Sequence, residues 1–109
     1  AMFESWRTGA AVSTARADTI ADGIAVRVPV DRALQDLAGS VDRMILVDDA
    51  LIVSAMQLLF ETLGVVVEPA GASGLAGCML ERETLQGRLV AVPLCGGNLT
   101  AEQIRTWLR

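Results

Sequence analysis

Three short apolar runs, each leading into a helix signal, constrain this chain more than any other feature. Arg43-Met44-Ile45-Leu46-Val47 runs into Asp48-Asp49, either of which can cap a helix. Val65-Val66-Val67 runs into Glu68-Pro69, where proline suits a first helical turn. Leu89-Val90-Ala91-Val92-Pro93-Leu94 runs into Cys95-Gly96-Gly97-Asn98 and then Thr100, a further cap. Continuous apolar runs of this length read as strands buried on both faces, and their alternation with helices predicts an α/β layer with a mostly parallel sheet. Three strands are few for a sheet that needs cover on both sides. The sheet is therefore expected to be incomplete.

The helices follow from spacing and punctuation. A helix over residues 1–8 is expected to stop at Gly9 and to turn Met2, Phe3 and Trp6 to one side. Ala10 to Asp18 reads as a loop, and Thr19 to Val28 as a short ordered segment broken at Gly23 and closed by Pro29. Asp31 is the expected cap of a helix from Arg32 to about Ala38, with Ala33, Leu34 and Leu37 inward and Gly39 at its end. From Ala50 to Leu63, Ile52, Ala55, Met56, Leu59 and Leu63 recur at spacings of three and four, and Gly64 terminates the run. The helix opened by Pro69 is expected to reach roughly Arg82. Gly71, Gly74 and Gly77 repeat along it, each costing about 1 kcal/mol relative to alanine, which points to close packing against another backbone or a ligand. A final helix, Thr100 to Leu108, carries Trp107 as its packing anchor.

Composition limits the function. At 109 residues the chain is expected to form one domain, residues 1–109, with no second. A hydrophobic fraction of 52%, with only 20% charged residues, is high for so short a chain, so part of its apolar surface is expected to lie against something else. No apolar stretch approaches the roughly 18 residues of a membrane span, so no membrane partner is expected. The net charge of -4, with arginines scattered singly, argues against nucleic acid. Cys78 and Cys95 form neither a disulfide framework nor a zinc spacing, and they read as reduced thiols of a cytoplasmic protein. The absence of histidine excludes Ser-His-Asp and Cys-His catalytic sets within this chain, and no metal-ligand cluster is visible. All nine basic residues are arginine. The start, Ala1-Met2-Phe3, has neither the basic nor the long apolar region of a signal peptide, and methionine is second, so an internal point of a longer chain is expected.

Three segments carry the chemical interest: Thr19-Ile20-Ala21-Asp22-Gly23, Glu68-Pro69-Ala70-Gly71-Ala72 and Cys95-Gly96-Gly97-Asn98. Singly, the first reads as a cap and turn. The second reads as an acidic residue at a helix N-terminus, and the third as a turn of residues that tolerate positive φ. In this order, and with Val41-Asp42 and the helix around Ala55-Met56 between them, they resemble the threonine and serine dehydratase (ammonia-lyase) family of fold-type II pyridoxal-phosphate enzymes, which includes serine racemase. The resemblance covers nearly the whole chain and matches the C-terminal part of that family's large domain.

It implies a three-layer parallel-sheet domain of the tryptophan synthase beta type, with pyridoxal 5'-phosphate as cofactor. By the same resemblance Cys95 falls where the family places a serine or cysteine against the pyridine nitrogen. Gly23 falls at the glycine that closes on the ring, Glu68 at the glutamate lining the same side, and Gly96 and Asn98 in the turn after the nitrogen contact. The family's Schiff-base lysine, its substrate-carboxylate loop and its phosphate loop precede this region. With no lysine here, an isolated chain is expected to be inactive, and its first partner is the missing N-terminal part of the same enzyme. The implied reaction is β-elimination of L-threonine or L-serine to a 2-oxo acid and ammonia, in a full-length homo-oligomer acting on a small amino-acid substrate. Serine racemisation, another hydroxy-amino-acid lyase reaction on the same scaffold, and a non-enzymatic α/β interaction module stay open as alternatives.

Overall fold

In a computed structural model describing residues 1–109, Asp48 caps the longest helix: its carboxylate accepts the Leu51 N–H at 2.7 Å, and the helix ends at Gly64 in the left-handed conformation. That helix is α3, Asp49–Leu63; the others are α1 (Met2–Thr8), α2 (Asp31–Leu37), α4 (Pro69–Leu80) and α5 (Ala101–Trp107), with a 3₁₀ turn at Asp22–Ile24. No helix is long and apolar enough to cross a membrane. The chain divides into two compact units, one of Ala1–Thr19 with Ile24–Leu46, the other of Ile20–Gly23 with Val47–Arg109.

The first unit holds α1 and α2. Gly9 stops α1 with φ 70°, as its position suggests. The residue of α1 that is buried is Ser5, while Met2, Phe3 and Trp6 are half-buried. Its hydroxyl donates to the Ala1 carbonyl and accepts the Val12 N–H, both at 2.8 Å, so the buried polar group is fully matched. Asp31 is not the cap of α2: Val30 holds that place and Asp31 begins the helix. A carboxylate in the first turn still opposes the positive helix end. Ala33, Leu34 and Leu37 form the more shielded face, as their spacing requires.

The second unit contains the core. Ile52, Ala55, Met56 and Leu59 of α3 pack with Ala72 and Ala76 of α4, with Val67, Ala21 and Leu108 completing the buried cluster. Small residues on α4 let α3 approach closely. Leu63, which the spacing places inward, is 64% exposed, because the apolar face of α3 ends at Leu59. Thr100 caps α5 through a reciprocal pair of hydrogen bonds with Gln103. Gln57 then ties α3 to the end of α5 by donating to the Trp107 carbonyl at 2.9 Å.

The expected sheet is absent. Segments 43–47, 65–67 and 89–94 carry no strand, so the α/β layer is not borne out. A parallel ladder needs neighbouring segments to exchange bonds over several residues, yet the residues after the second and third apolar runs share one such bond, from the Glu68 N–H to the Gly96 carbonyl at 3.2 Å. The outer apolar residues of these runs consequently face solvent, Leu89 completely so.

Candidate cofactor site

The second unit brings together two of the three singled-out motifs at the start of α4. Glu68 is the residue before the helix, with φ -71° and ψ 160°, and Pro69 occupies the first turn. The Cys95–Asn98 turn lies directly against it. One carboxylate oxygen of Glu68 accepts the Asn98 N–H at 3.0 Å, while the Glu68 N–H donates to the Gly96 carbonyl.

Glycine is required at three places in this junction. Gly96 has φ 78°, and a Cβ there would come within 2.5 Å of the other Glu68 carboxylate oxygen. A Cβ on Gly97 would meet the Val66 carbonyl oxygen at 2.6 Å. On Gly71 it would overlap the Cys95 carbonyl and lie 2.9 Å from a Val67 methyl. The periodic glycines of α4 had signalled such an approach, and Gly71 is where another backbone arrives. Gly71 and Gly97 lie inside the segments that carry the resemblance but receive no site role from it; their helix-interior cost and turn setting were the available signals.

Gly23 joins the same region from the first motif, since a Cβ there would lie 3.1 Å from the Ala70 methyl in the opening turn of α4. The neighbouring Ile20 N–H is fixed by the Asp49 carboxylate at 3.1 Å. Thus Gly23, Glu68, Gly96 and Asn98 gather around the first turn of α4, with Cys95 seated over Gly71 by its carbonyl. Val41-Asp42 belongs to the other unit.

These residues fit one part of pyridoxal phosphate. Cys95 is exposed, and its thiol makes no hydrogen bond, so a weak donor is free to meet a ring nitrogen. Gly96 and Gly97 let the Glu68 carboxylate and the Val66 carbonyl close on the backbone beside Cys95. Neither the Val66–Ala72 nor the Leu94–Leu99 stretch has a basic residue for a phosphate, and the chain has no lysine for the aldehyde. The set suits the ring and leaves the other two functions to other residues.

The chain is 37% identical over 103 residues to an L-threonine ammonia-lyase of Thermotoga maritima, covering 94% of this chain and 25% of that protein. It is 34% identical over 103 residues to an L-threo-3-hydroxyaspartate ammonia-lyase of Saccharomyces cerevisiae, covering 94% of this chain and 32% of the relative. The chain therefore spans between a quarter and a third of the length of these relatives. The backbone superposes on a solved maize serine racemase with a TM-score of 0.84 at 29% identity, over 96% of this chain and 33% of that one. Residues 1–96 match the family model described as pyridoxal-phosphate dependent enzyme, and the chain belongs to that family.

Proposed function

We propose that this chain forms the ring side of the cofactor site in an ammonia-lyase that converts L-threonine or L-serine to a 2-oxo acid and ammonia by β-elimination. The observation that carries the reading is the junction at α4, where Glu68 grips the Cys95–Asn98 turn and leaves the Cys95 thiol exposed and unpaired. In it Cys95 faces the pyridine nitrogen, Gly23 and Glu68 line the ring, and Gly96 and Asn98 close the turn. When bound, pyridoxal phosphate supplies an electron sink for the charge left by removal of the α-proton. A thiol at Cys95 offers no carboxylate to hold a proton on the ring nitrogen, so its part is to orient the ring and keep that sink mild. The lysine, the phosphate loop and the substrate-carboxylate loop come from a preceding segment of a longer, cytoplasmic, homo-oligomeric enzyme. Segments 65–67 and 89–94, both in the second unit, become strands of a parallel sheet when that segment pairs with them. Alone, the chain lacks the base and is inactive.

Oxo-acid release by the full-length protein with pyridoxal phosphate, measured against L-threonine, L-serine, their D-enantiomers and L-threo-3-hydroxyaspartate, tests this reading. L-threonine or L-serine is expected to be the best substrate. Preference for L-threo-3-hydroxyaspartate would move the enzyme to the activity named for the yeast relative. Conversion of L-serine to D-serine without oxo acid would favour racemisation, which the likeness to maize serine racemase supports. No turnover of any of them, with no absorbance change on adding the cofactor, would refute an enzymatic role and favour an interaction module.

A further inference from the structure

Each of the three helix starts in the second unit has a polar residue in the cap position, and one of them does not cap. Asp48 accepts the Leu51 N–H and Thr100 accepts the Gln103 N–H, each serving its own helix. Glu68 stands before α4 with the same extended backbone and makes no side-chain cap. A cap is worth about 1 kcal/mol to a helix, so the carboxylate forgoes a local partner. It spans 30 residues instead, accepting the Asn98 N–H at 3.0 Å. The backbone of Glu68 holds the same turn from its other side, through the bond to the Gly96 carbonyl at 3.2 Å. Its second carboxylate oxygen fills the space that a side chain on residue 96 would need.

We propose that Glu68 is a positioning residue: its carboxylate latches the Cys95–Asn98 turn onto the start of α4 and thereby sets where the Cys95 thiol stands. This deepens the cofactor-site reading and rests on it for its consequence in binding, although the latch itself is a property of the polypeptide. Cys95 is one residue from Gly96 and three from Asn98, the two positions that Glu68 grips, and its own carbonyl rests on Gly71. The thiol thus has no hydrogen bond of its own to fix it. Its place is determined by its backbone, and the carboxylate supplies one of the three restraints on that backbone. What the latch requires is an oxygen acceptor at the end of a side chain of this length, not a negative charge.

Glu68→Gln and Glu68→Ala in the full-length protein separate these possibilities, because glutamine retains an acceptor and alanine does not. Two readouts are needed: amide hydrogen exchange at Asn98 in the cofactor-free protein, and the dissociation constant of pyridoxal phosphate. In Glu68→Ala the Asn98 amide is expected to exchange about tenfold faster and the cofactor to bind about tenfold more weakly, the scale of one lost hydrogen bond to a charged group. In Glu68→Gln both are expected to stay within about threefold of the parent. An unprotected Asn98 amide in the parent protein, or equal exchange in all three proteins, would overturn the latch. Equal loss of cofactor affinity in both variants would also overturn it, in favour of a direct action of the charge on the ring. Faster exchange in Glu68→Ala with unchanged cofactor affinity would leave the latch standing and count against Cys95 as a ring contact. Should Glu68→Ala fail to fold, the parent's Asn98 protection and the Glu68→Gln pair of readouts still decide the matter.

Discussion

Gly71→Ala is expected to destabilise the protein by about 3 kcal/mol or more and to abolish tight cofactor binding, against the ordinary gain of about 1 kcal/mol for such a change inside a helix. The added methyl would overlap the Cys95 carbonyl and press within 2.9 Å of Val67. A side chain in the way can rotate, but a carbonyl moves only with its backbone. Either the start of α4 shifts, which opens the core at Ala72 and Val67, or the Cys95 turn lifts away and takes the thiol with it. Gly74→Ala is the matched control. Its methyl would meet only a Val92 methyl at 3.0 Å, which can yield by a small rotation, so a change within about 1 kcal/mol is expected. Urea unfolding midpoints and cofactor titration of the two variants test the contrast. A Gly71→Ala protein as stable as Gly74→Ala would mean that the turn does not sit on α4.

Met56→Ala is expected to cost about 2–5 kcal/mol, a large share of the 5–15 kcal/mol that holds a typical domain together. Met56 is fully buried in α3, within the cluster that includes Ala72 and Ala76, and small neighbours have no atoms with which to refill the space. Leu63→Ala, one turn past the end of the buried face, is expected to change stability by less than about 0.5 kcal/mol. Denaturation of both variants reads this difference. Similar losses for the two would show that the apolar face of α3 continues beyond Leu59 in the folded protein.

Leu63 also marks where the sequence ceases to determine burial. Ile52, Ala55, Met56, Leu59 and Leu63 share one face by spacing, and spacing alone cannot say where the facing helix stops. Local signals were legible: the caps Asp48 and Thr100 and the glycine stops at 9 and 64 all depend on residues near in sequence. Val30 took the cap position expected of Asp31 because a carboxylate in the first turn offers the helix dipole nearly as much as one before it. The strands failed for a different reason. An apolar run has the composition of a strand, but a strand exists only through its neighbours, and three segments in this chain share too few bonds to form one.

The candidate site could be picked out in the sequence only through motif order and resemblance. Gly23, Glu68, Cys95, Gly96 and Asn98 could be singled out by their order and resemblance, and the structure gathers them around the first turn of α4. What Glu68 does there was not legible. An acidic residue before Pro69 has a sufficient local explanation in the helix dipole, and a bond to an amide 30 residues away leaves no periodic trace. Ser5 is similar: its burial is explained only by the return of Val12, which no spacing announces.

The most direct test is nitrogen-15 NMR of pyridoxal phosphate labelled in its ring, bound to the full-length protein and to its Cys95→Asp variant. With no carboxylate at the nitrogen, the parent is expected to show an unprotonated ring. The aspartate should move the resonance to the protonated position. An identical resonance in the two proteins, with the cofactor bound in both, would contradict the placement of residue 95 against the ring nitrogen.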